Sequence, residues 1–296
     1  MATTKQLSKH LRNITGSQMP AICRCSPYPG ALYQIWARLT GRIGMDDISS
    51  PRMDFGNYAE KFLADRFTAA TGIGVRHRGL ERRIDEAPAP MIVHCDRLTE
   101  ESEPCPISFK TTGIYGRVYQ PDAWGEPGTD QIPQWAYIQL MTEMIATRAP
   151  IGWCTVLIGG RGDATYRVPY DQGLADMMMS QVEDFWTNHV QADIPPDIDI
   201  PPLEVVKRFK RDTSKVYSLP AGVGESFLDA RQKRIDADKA EKDLQAVMLA
   251  EMDDASIGQL PDGTRIEYRQ THRKGYTVKG GTYRRILVTN KENTDE

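Results

Sequence analysis

The sequence predicts an α/β protein with a mixed central sheet flanked by helices, followed by a C-terminal helical arm and a small β unit. Three observations lead to this fold class. The chain of 296 residues is 40% apolar and 26% charged, as folded globular proteins are. Amphipathic helices and short apolar strands succeed one another over the first two hundred residues. A proline-rich stretch, 192–202, then precedes a long charged helix.

Helical spacing of apolar side chains marks the N-terminal part of the predicted core. Two short helices are expected before residue 45, and the Thr-Gly-Ser break at 15–17 separates them. A longer helix over 55–72 carries a broad apolar stripe and ends at Gly72. Glu60 lies at the edge of that stripe, where an ordinary surface charge would also be found.

Short apolar strands follow this helix. The runs 90–98 and 105–111 are strand-like, and the acidic loop between them predicts a hairpin. Residues 113–130 are rich in glycine, proline and aromatic residues and predict a long loop. A helix over 130–148, two more strands and a helix over 174–190 complete the predicted core.

Composition divides the chain into three parts: a core over 1–200, a linker over 201–222, and a module over 223–296. The module would contain a helix with sparse apolar positions, typical of a coiled-coil arm, and a basic β-hairpin. From 264 to 291 there are eight Lys or Arg residues and one acid, Glu267. Such a surface is typical of a protein that binds a polyanion, although a solvated hairpin would have the same charge pattern.

Cysteine usage and hydropathy indicate the compartment. The five cysteines, at 23, 25, 95, 105 and 154, lack the spacing of a zinc site, so free thiols in a reducing cytoplasm are expected. No apolar run reaches the length of a membrane span, so we expect no membrane association.

Two polar side chains at the ends of the predicted hairpin strands suggest metal-dependent cleavage of phosphodiesters. Asp96 is on the first strand and Lys110 on the second. Metal-dependent nucleases hold Mg²⁺ with carboxylates and use a lysine to position the attacking water. The residue two before the lysine shares its face and would ordinarily be a carboxylate, but here it is Ser108. Phe109 could add its backbone carbonyl as a ligand. A hydroxyl is a neutral, weak ligand, so this site is one negative charge short.

Several segments, taken in order, resemble the YqaJ-like viral recombinase family, which is similar to phage lambda exonuclease within the PD-(D/E)xK nuclease superfamily. The family patterns are TGS with SPY and LW..KTG, a helix with a glutamate and a terminal TG, D-G-L, E-x-K-T, and a P..Y..Q helix. The corresponding segments here are ITGSQMPAICRCSPYPGALYQIWARLTG, FGNYAEKFLADRFTAATG, HCDRL, SFKT and IPQWAYIQLMTEM.

The resemblance implies a restriction-endonuclease-like fold and an exonuclease that digests double-stranded DNA ends, commonly 5′ to 3′, in homologous recombination. It implies Mg²⁺ as cofactor, with Mn²⁺ as a substitute. The implied partners are a single-strand annealing protein and further copies of the chain in a ring trimer or similar oligomer. The implied setting is a phage or prophage protein in the bacterial cytoplasm.

The resemblance also implies roles for individual residues. Glu60 occupies the position of an active-site glutamate, and Gln139 that of a helix glutamine which orients the water or the phosphate. Arg12 and Ser17 fall in the region that meets the DNA 5′ end, where an arginine can grip a terminal phosphate. A helix cap by Ser17 is the alternative. The implied metal ligands are Asp96, Glu60 and the Phe109 carbonyl, and Lys110 would position the nucleophilic water.

A second departure from the family concerns the predicted helix over 130–148. Related nucleases often carry a tyrosine four residues after the helix glutamine, where this chain has Glu143. Residues four apart share a helix face, so Glu143 would point the same way as Gln139. We hypothesise that the carboxylate missing at Ser108 has moved to Glu143, which then becomes a metal ligand. A solvated surface glutamate is the alternative reading.

Other functions stay open at this point. The chain could be a catalytically inactive or engineered-inactive DNA-end-binding protein of the same fold, in which Ser108 replaced a glutamate. It could also be a structural or decoy module whose basic C-terminal unit binds another protein. Salt-sensitive binding to DNA would argue against the decoy.

Overall fold

The computed structural model describes residues 12–44, 51–113, 124–159, 161–197, 200–220, 222–272 and 286. These ranges leave out most of three predicted segments: the first helix, the loop over 113–130 and the basic stretch over 264–291. The chain separates into two compact units, Met1–Asp212 and Thr213–Glu296.

The first unit contains most of the regular structure. Its helices are α1 (Met19–Ile22), α2 (Ala31–Leu39), α3 (Pro51–Thr71), α4 (Gln134–Thr147), α5 (Gln172–Phe185), which continues as a π-helical segment (Trp186–Gln191), and α6 (Leu203–Lys207). Its strands are β1 (Ile14–Thr15), β2 (Val75–Arg76), β3 (Leu80–Arg83), β4 (Met91–Cys95), β5 (Arg97–Thr99), β6 (Pro106–Thr112), β7 (Ile151–Ile158) and β8 (Gly162–Pro169).

Two sheets carry these strands. The larger has the order β2-β5-β6-β7-β8, in which β6 and β7 are parallel and the other pairs antiparallel. The smaller has the order β1-β4-β3, with β1 parallel to β4. Helices pack against the larger sheet, so the predicted fold class, α/β with a mixed central sheet flanked by helices, is confirmed.

The predicted hairpin is present, but its first strand is shorter than expected. The run 90–98 is divided at Asp96: β4 belongs to the smaller sheet, and β5 pairs with β6 in the larger one. The hydrogen-bonded pairing of β5 with β6 covers only Arg97 with Ile107 and Leu98 with Pro106. Asp96 therefore lies where the chain passes from one sheet to the other.

Alternation along β6 directs its side chains to two different helices. Ile107 and Phe109 pack with Phe67 of α3 in a small apolar cluster. Ser108 faces the opposite side and contacts Glu143 of α4. Because successive strand side chains point to opposite faces, Lys110 shares the face of Ser108.

A glycine lets α4 lie close to β7 on that same face. A Cβ atom at Gly152 would lie 2.8 Å from Leu140 Cδ1 and 3.1 Å from Met144 Cγ, both of α4. Such distances are shorter than ordinary van der Waals contacts, so no side chain fits at this position without repacking. Since α4 also carries Gln139 and Glu143, this close packing keeps both side chains near β6.

The segment predicted to be a linker begins with residues that pack on the first unit. Val205 of α6 is buried in the main apolar core. The Phe209 ring stacks on Tyr33 with 6.3 Å between ring centroids. Lys210 N donates a hydrogen bond to Arg42 O at 2.8 Å. The division of the chain at residues 200 and 222 stays a prediction.

The second unit contains one long helix and one hairpin. All residues of α7 (Val223–Met252) lie in the described range and none is buried. The strands β9 (Ile257–Gln259) and β10 (Arg265–Glu267) are antiparallel, and Gly263 between them has a φ of 88°. The predicted turn at Asp262 and Gly263 is confirmed, since Asp262 Oδ1 accepts a hydrogen bond from Thr264 N at 2.9 Å. Among the described residues, no helix combines the length and the apolar character needed to cross a bilayer.

We expect the change Gly152→Ala to lower the free energy of unfolding by about 1–3 kcal/mol, because the new methyl group overpacks the contact between α4 and β7. For a unit of this size the melting temperature should fall by about 2–4 °C per kcal/mol. The matched control is Gly56→Ala in α3, where a new Cβ would meet nothing within 4 Å. It should raise stability by about 0.5–1 kcal/mol, because alanine favours a helix. Equal melting temperatures for the two variants would contradict this account of the packing. Thermal unfolding followed by circular dichroism is the measurement.

Candidate active site

Four of the predicted site residues form a continuous chain of contacts on the α4 side of β6. Lys110 Nζ donates to Ser108 Oγ at 2.5 Å. Ser108 Oγ in turn lies 3.4 Å from Glu143 Oε1, to which it can donate. Gln139 Nε2 donates to the same Glu143 oxygen at 3.1 Å. The structure therefore brings Lys110, Ser108, Gln139 and Glu143 together, as the sequence predicted.

A hydrogen bond from the backbone holds Asp96 beside this row of side-chain contacts. Its Oδ2 atom accepts a hydrogen bond from Phe109 N at 2.7 Å. The pairing of β5 with β6 stops at Ile107, so the Asp96 carboxylate takes the place of the next strand partner. Phe109, predicted as a ligand through its carbonyl, thus also holds the carboxylate beside it. The break between β4 and β5 is what frees Asp96 to turn toward β6.

Glu143 is a buried carboxylate, with only 1% of its surface exposed. The alternative reading of a solvated surface glutamate is therefore wrong. Burial raises the pKa of Glu143 to about 8, and the nearby Asp96 carboxylate acts in the same direction. The Lys110 charge and the hydrogen bonds from Gln139 and Ser108 lower this pKa. Its second oxygen, Oε2, is buried and has no hydrogen-bond partner.

These donors fit a hard divalent cation. Mg²⁺ prefers carboxylate, carbonyl and hydroxyl oxygens, which Asp96, Glu143, Phe109 and Ser108 can supply. The unpartnered Glu143 oxygen is the observation that favours such a ligand, because an unsatisfied buried acceptor is costly. Within the described ranges, no three His, Cys, Asp or Glu side chains gather as metal ligands. The site thus offers two carboxylates rather than three, and an ion held by them would keep several water ligands.

Glu60, also predicted as a catalytic residue and a metal ligand, contacts arginines instead. Its Oε2 atom lies 3.3 Å from Arg97 Nη1 and 3.4 Å from Arg78 Nε. Arg97 Nη1 also donates to the backbone oxygen of Asp96 at 2.7 Å. Glu60 is therefore linked to Asp96 through Arg97. It does not take part in the row of side-chain contacts that joins Lys110, Ser108, Glu143 and Gln139. Its role as a metal ligand stays a prediction.

Arg97 and Arg78 were not among the predicted site residues. Arg97 had one available signal, because it follows Asp96 directly and stands where the D-G-L pattern has glycine. Arg78 had none, since it is one of several basic residues in a loosely alternating run. Their common partner, Glu60, lies on α3 and is distant in sequence, so only the fold reveals the cluster.

Arg12 and Ser17, predicted to meet the DNA end, are both exposed, Arg12 just before β1 and Ser17 in the turn that follows it. Ser17 Oγ lies 3.3 Å from Thr15 Oγ1. Thr15, rather than Ser17, is the residue at the N-cap position of the short helix that begins there. Neither Arg12 nor Ser17 takes part in the row of side-chain contacts between Lys110 and Gln139. Their contact with DNA stays a prediction.

A buried arginine holds the turn on which Ser17 sits. Arg38 Nη2 donates to Gln18 Oε1 at 2.8 Å and to Asn13 O at 3.3 Å. Gln18 Oε1 also accepts from Thr15 N at 3.1 Å. Burial lowers the pKa of Arg38 to about 10. The backbone around Ser17 is therefore fixed from inside the core.

Two solved structures that are similar to this chain are exonucleases. The alkaline exonuclease LHK-Exo from Laribacter hongkongensis is 17% identical, with a TM-score of 0.47, over 65% of this chain and 94% of that chain. A phage-related exonuclease from Haemophilus somnus 129PT is 12% identical, with a TM-score of 0.44, over 61% of this chain and 96% of that chain. No curated protein gave a match.

A family profile matches the part of the chain that holds the candidate site. The profile describes the YqaJ-like viral recombinase domain, and it covers residues 6–150. That range includes Glu60, Asp96, Lys110 and Glu143, so the match and the geometry concern the same segment. The resemblance noted from the sequence motifs is confirmed. Residues 6–150, about half of the chain, thus match the YqaJ-like viral recombinase domain.

Proposed function

We propose that the protein is a Mg²⁺-dependent exonuclease that digests double-stranded DNA from its ends during homologous recombination, most simply in the 5′ to 3′ direction of the family resemblance. The observation that carries this proposal is the buried Glu143 carboxylate beside Ser108. It supplies, from α4, the negative charge that the strand lacks. A buried carboxylate with an unpartnered oxygen destabilises the fold, and binding of a metal ion would supply the missing partner.

In this proposal each residue of the site has a distinct task. Asp96 and Glu143 hold the ion, with the Phe109 carbonyl and the Ser108 hydroxyl as further oxygen donors. A bound Mg²⁺ lowers the pKa of coordinated water and neutralises charge on the phosphate. Lys110, fixed by Ser108, positions the attacking water. Gln139 restrains the Glu143 carboxylate through its hydrogen bond.

The partners follow from the family and the sequence. DNA ends would be met by Arg12 and Ser17, and the product single strand would be taken up by an annealing protein. A homo-oligomeric ring, as the resemblance implies, would keep the enzyme on its substrate. The setting would be a bacterial cytoplasm that carries the phage or prophage.

An inactive DNA-end-binding protein of the same fold is the second candidate. It is favoured by the short set of acidic ligands and by the two arginines that neutralise Glu60. Both candidates, the exonuclease and the inactive protein, would bind DNA ends. They differ in whether Glu143 takes over the function of the carboxylate missing at Ser108.

The first test is digestion of end-labelled linear duplex DNA with Mg²⁺ or Mn²⁺. We expect wild-type protein to release nucleotides, and Lys110→Ala and Glu143→Gln each to slow digestion by about 10²–10³-fold, as loss of a charge-stabilising group does. The matched control is Glu183→Gln, which alters an exposed glutamate on α5 and should leave the rate unchanged. Wild-type rates in Glu143→Gln would exclude this carboxylate from the reaction.

The same variant separates catalysis from folding. Glu143→Gln keeps the shape of the side chain. Because burial raises the pKa of Glu143 to about 8, the melting temperature of the variant in EDTA should equal that of the wild type in acid, where the carboxyl group is protonated in the folded and the unfolded chain alike, and exceed it at about pH 9, where the buried carboxylate is charged. Differential scanning calorimetry is the measurement. A large decrease would mean that the carboxylate mainly serves the fold.

A reciprocal exchange tests the relocated carboxylate. We expect Glu143→Ser to abolish digestion and the double variant Ser108→Glu with Glu143→Ser to recover at least a tenth of the wild-type rate. The double variant roughly conserves the volume at a site where Ser108 is fully buried. If the wild type is inert and Ser108→Glu alone creates activity, the inactive end-binding protein is the correct reading.

A further inference from the structure

We propose that Arg97 binds a DNA phosphate beside the metal site and that Glu60 positions Arg97 rather than the metal ion. The proposal rests on the proposed function, because it takes DNA as the ligand. It assigns a phosphate-binding role to Arg97 and a different task to Glu60.

The Arg97 guanidinium is held from two directions. Its Nη1 atom donates to Asp96 O at 2.7 Å and lies 3.3 Å from Glu60 Oε2. Its Cζ atom also lies 5.9 Å from the centre of the Phe109 ring. Only 12% of the Arg97 side chain is exposed. A planar cation fixed in this way loses little entropy when it binds a ligand.

The rest of the guanidinium is available to a ligand. Within the described part of the chain, both hydrogen bonds from Arg97 to oxygen atoms use Nη1, which leaves the N–H groups on Nε and Nη2. These two nitrogens are not fully enclosed by the protein, so both reach solvent. Two N–H groups of one guanidinium match two oxygens of a phosphate.

Charge balance favours an anion at this point. Glu60 is a single carboxylate that faces two guanidiniums, those of Arg97 and Arg78. These three side chains therefore carry one surplus positive charge, and the nearby Asp96 carboxylate is offset by the charge of Lys110. Arg78 is two-thirds exposed and can follow a ligand, whereas Arg97 is fixed. A phosphodiester, with one negative charge, neutralises this surplus.

The same contacts make Glu60 a poor metal ligand. Its Oε2 atom is shared between the two arginines, so Mg²⁺ could bind that oxygen only by displacing them, and a divalent ion at Oε1 would lie beside two positive charges. An arginine cannot lose its proton to make way for the metal. Glu60 therefore holds Arg97 next to Asp96, where a phosphate positioned by the arginine would also lie beside the ion.

The test has two arms that need no cleavage. In the first, binding of a blunt, 5′-phosphorylated duplex oligonucleotide is measured by fluorescence anisotropy in EDTA over a range of salt concentrations. We expect Arg97→Gln to weaken binding by about 10-fold and to reduce the salt slope by about 1, as loss of one phosphate contact does. Arg97→Lys should keep most of the slope and recover part of the affinity. Glu60→Gln should weaken binding while the slope is retained.

The matched control for this arm is Arg148→Gln. Arg148 also pairs with a glutamate, Glu86, at 2.6 Å, but it precedes β7 and so lies at the opposite end of the parallel β6–β7 pair from Lys110. The Arg148→Gln variant should bind the duplex with the wild-type affinity and the wild-type salt slope. An Arg97→Gln variant that is folded and binds with the wild-type slope would overturn the phosphate-binding role.

In the second arm, Mn²⁺ binding without DNA is measured by calorimetry. Glu60→Gln should bind Mn²⁺ within about 2-fold of wild type, whereas Asp96→Asn should lose binding, because a ligand change costs at least about 10-fold. Loss of Mn²⁺ affinity in Glu60→Gln would overturn the positioning role and make Glu60 a ligand.

The two arms also separate this inference from the proposed function. A wild type that neither digests DNA nor binds Mn²⁺ would end the nuclease proposal, and the DNA-binding arm in EDTA would still decide the role of Arg97. A wild type that digests DNA while Arg97→Gln keeps the wild-type slope would end the inference alone.

Discussion

The candidate site depends on one constraint: a carboxylate is buried between α4 and the central sheet with too few hydrogen-bond partners. Glu143 receives one contact each from Ser108 and Gln139, both on Oε1, while Oε2 has none. An apolar residue there would cost less, so the fold alone does not explain Glu143. Ser108, Lys110 and Asp96 are arranged around it, and each affects its charge.

The backbone makes this arrangement possible in two places. Gly152 lets α4 come close to β7. This close packing places Glu143 of α4 within contact distance of Ser108. The change of sheet at Asp96 leaves Phe109 N without a strand partner, and the Asp96 side chain fills that position. Both features concern packing, and together they bring the two carboxylates to neighbouring positions on β6. The geometry of the site is therefore set by how tightly the elements pack as much as by which side chains they carry.

Sequence patterns predicted the parts of this site that depend on local spacing. Residues 108 and 110 share a strand face, residues 139 and 143 share a helix face, and the structure joins the two pairs through Ser108 and Glu143. What the sequence could not predict depends on contacts between distant segments. The division of run 90–98 at Asp96, the burial of Glu143, and the arginines around Glu60 all arise from tertiary packing, which spacing does not encode.

The positions of the charges suggest that two changes at this site compensate each other. Relative to the E-x-K-T and D-G-L patterns, this chain has Ser108 in place of an acidic residue on β6 and Arg97 in place of glycine next to Asp96, so β5 and β6 supply few acidic side chains to the site. Glu143 brings a carboxyl group to the same face from α4, and Glu60 contacts Arg97 and Arg78. A cation held between Asp96 and Glu143 would then have a fixed guanidinium as its neighbour instead of a third carboxylate. That arrangement would suit a phosphodiester, because the ion and the arginine would both offset its negative charge.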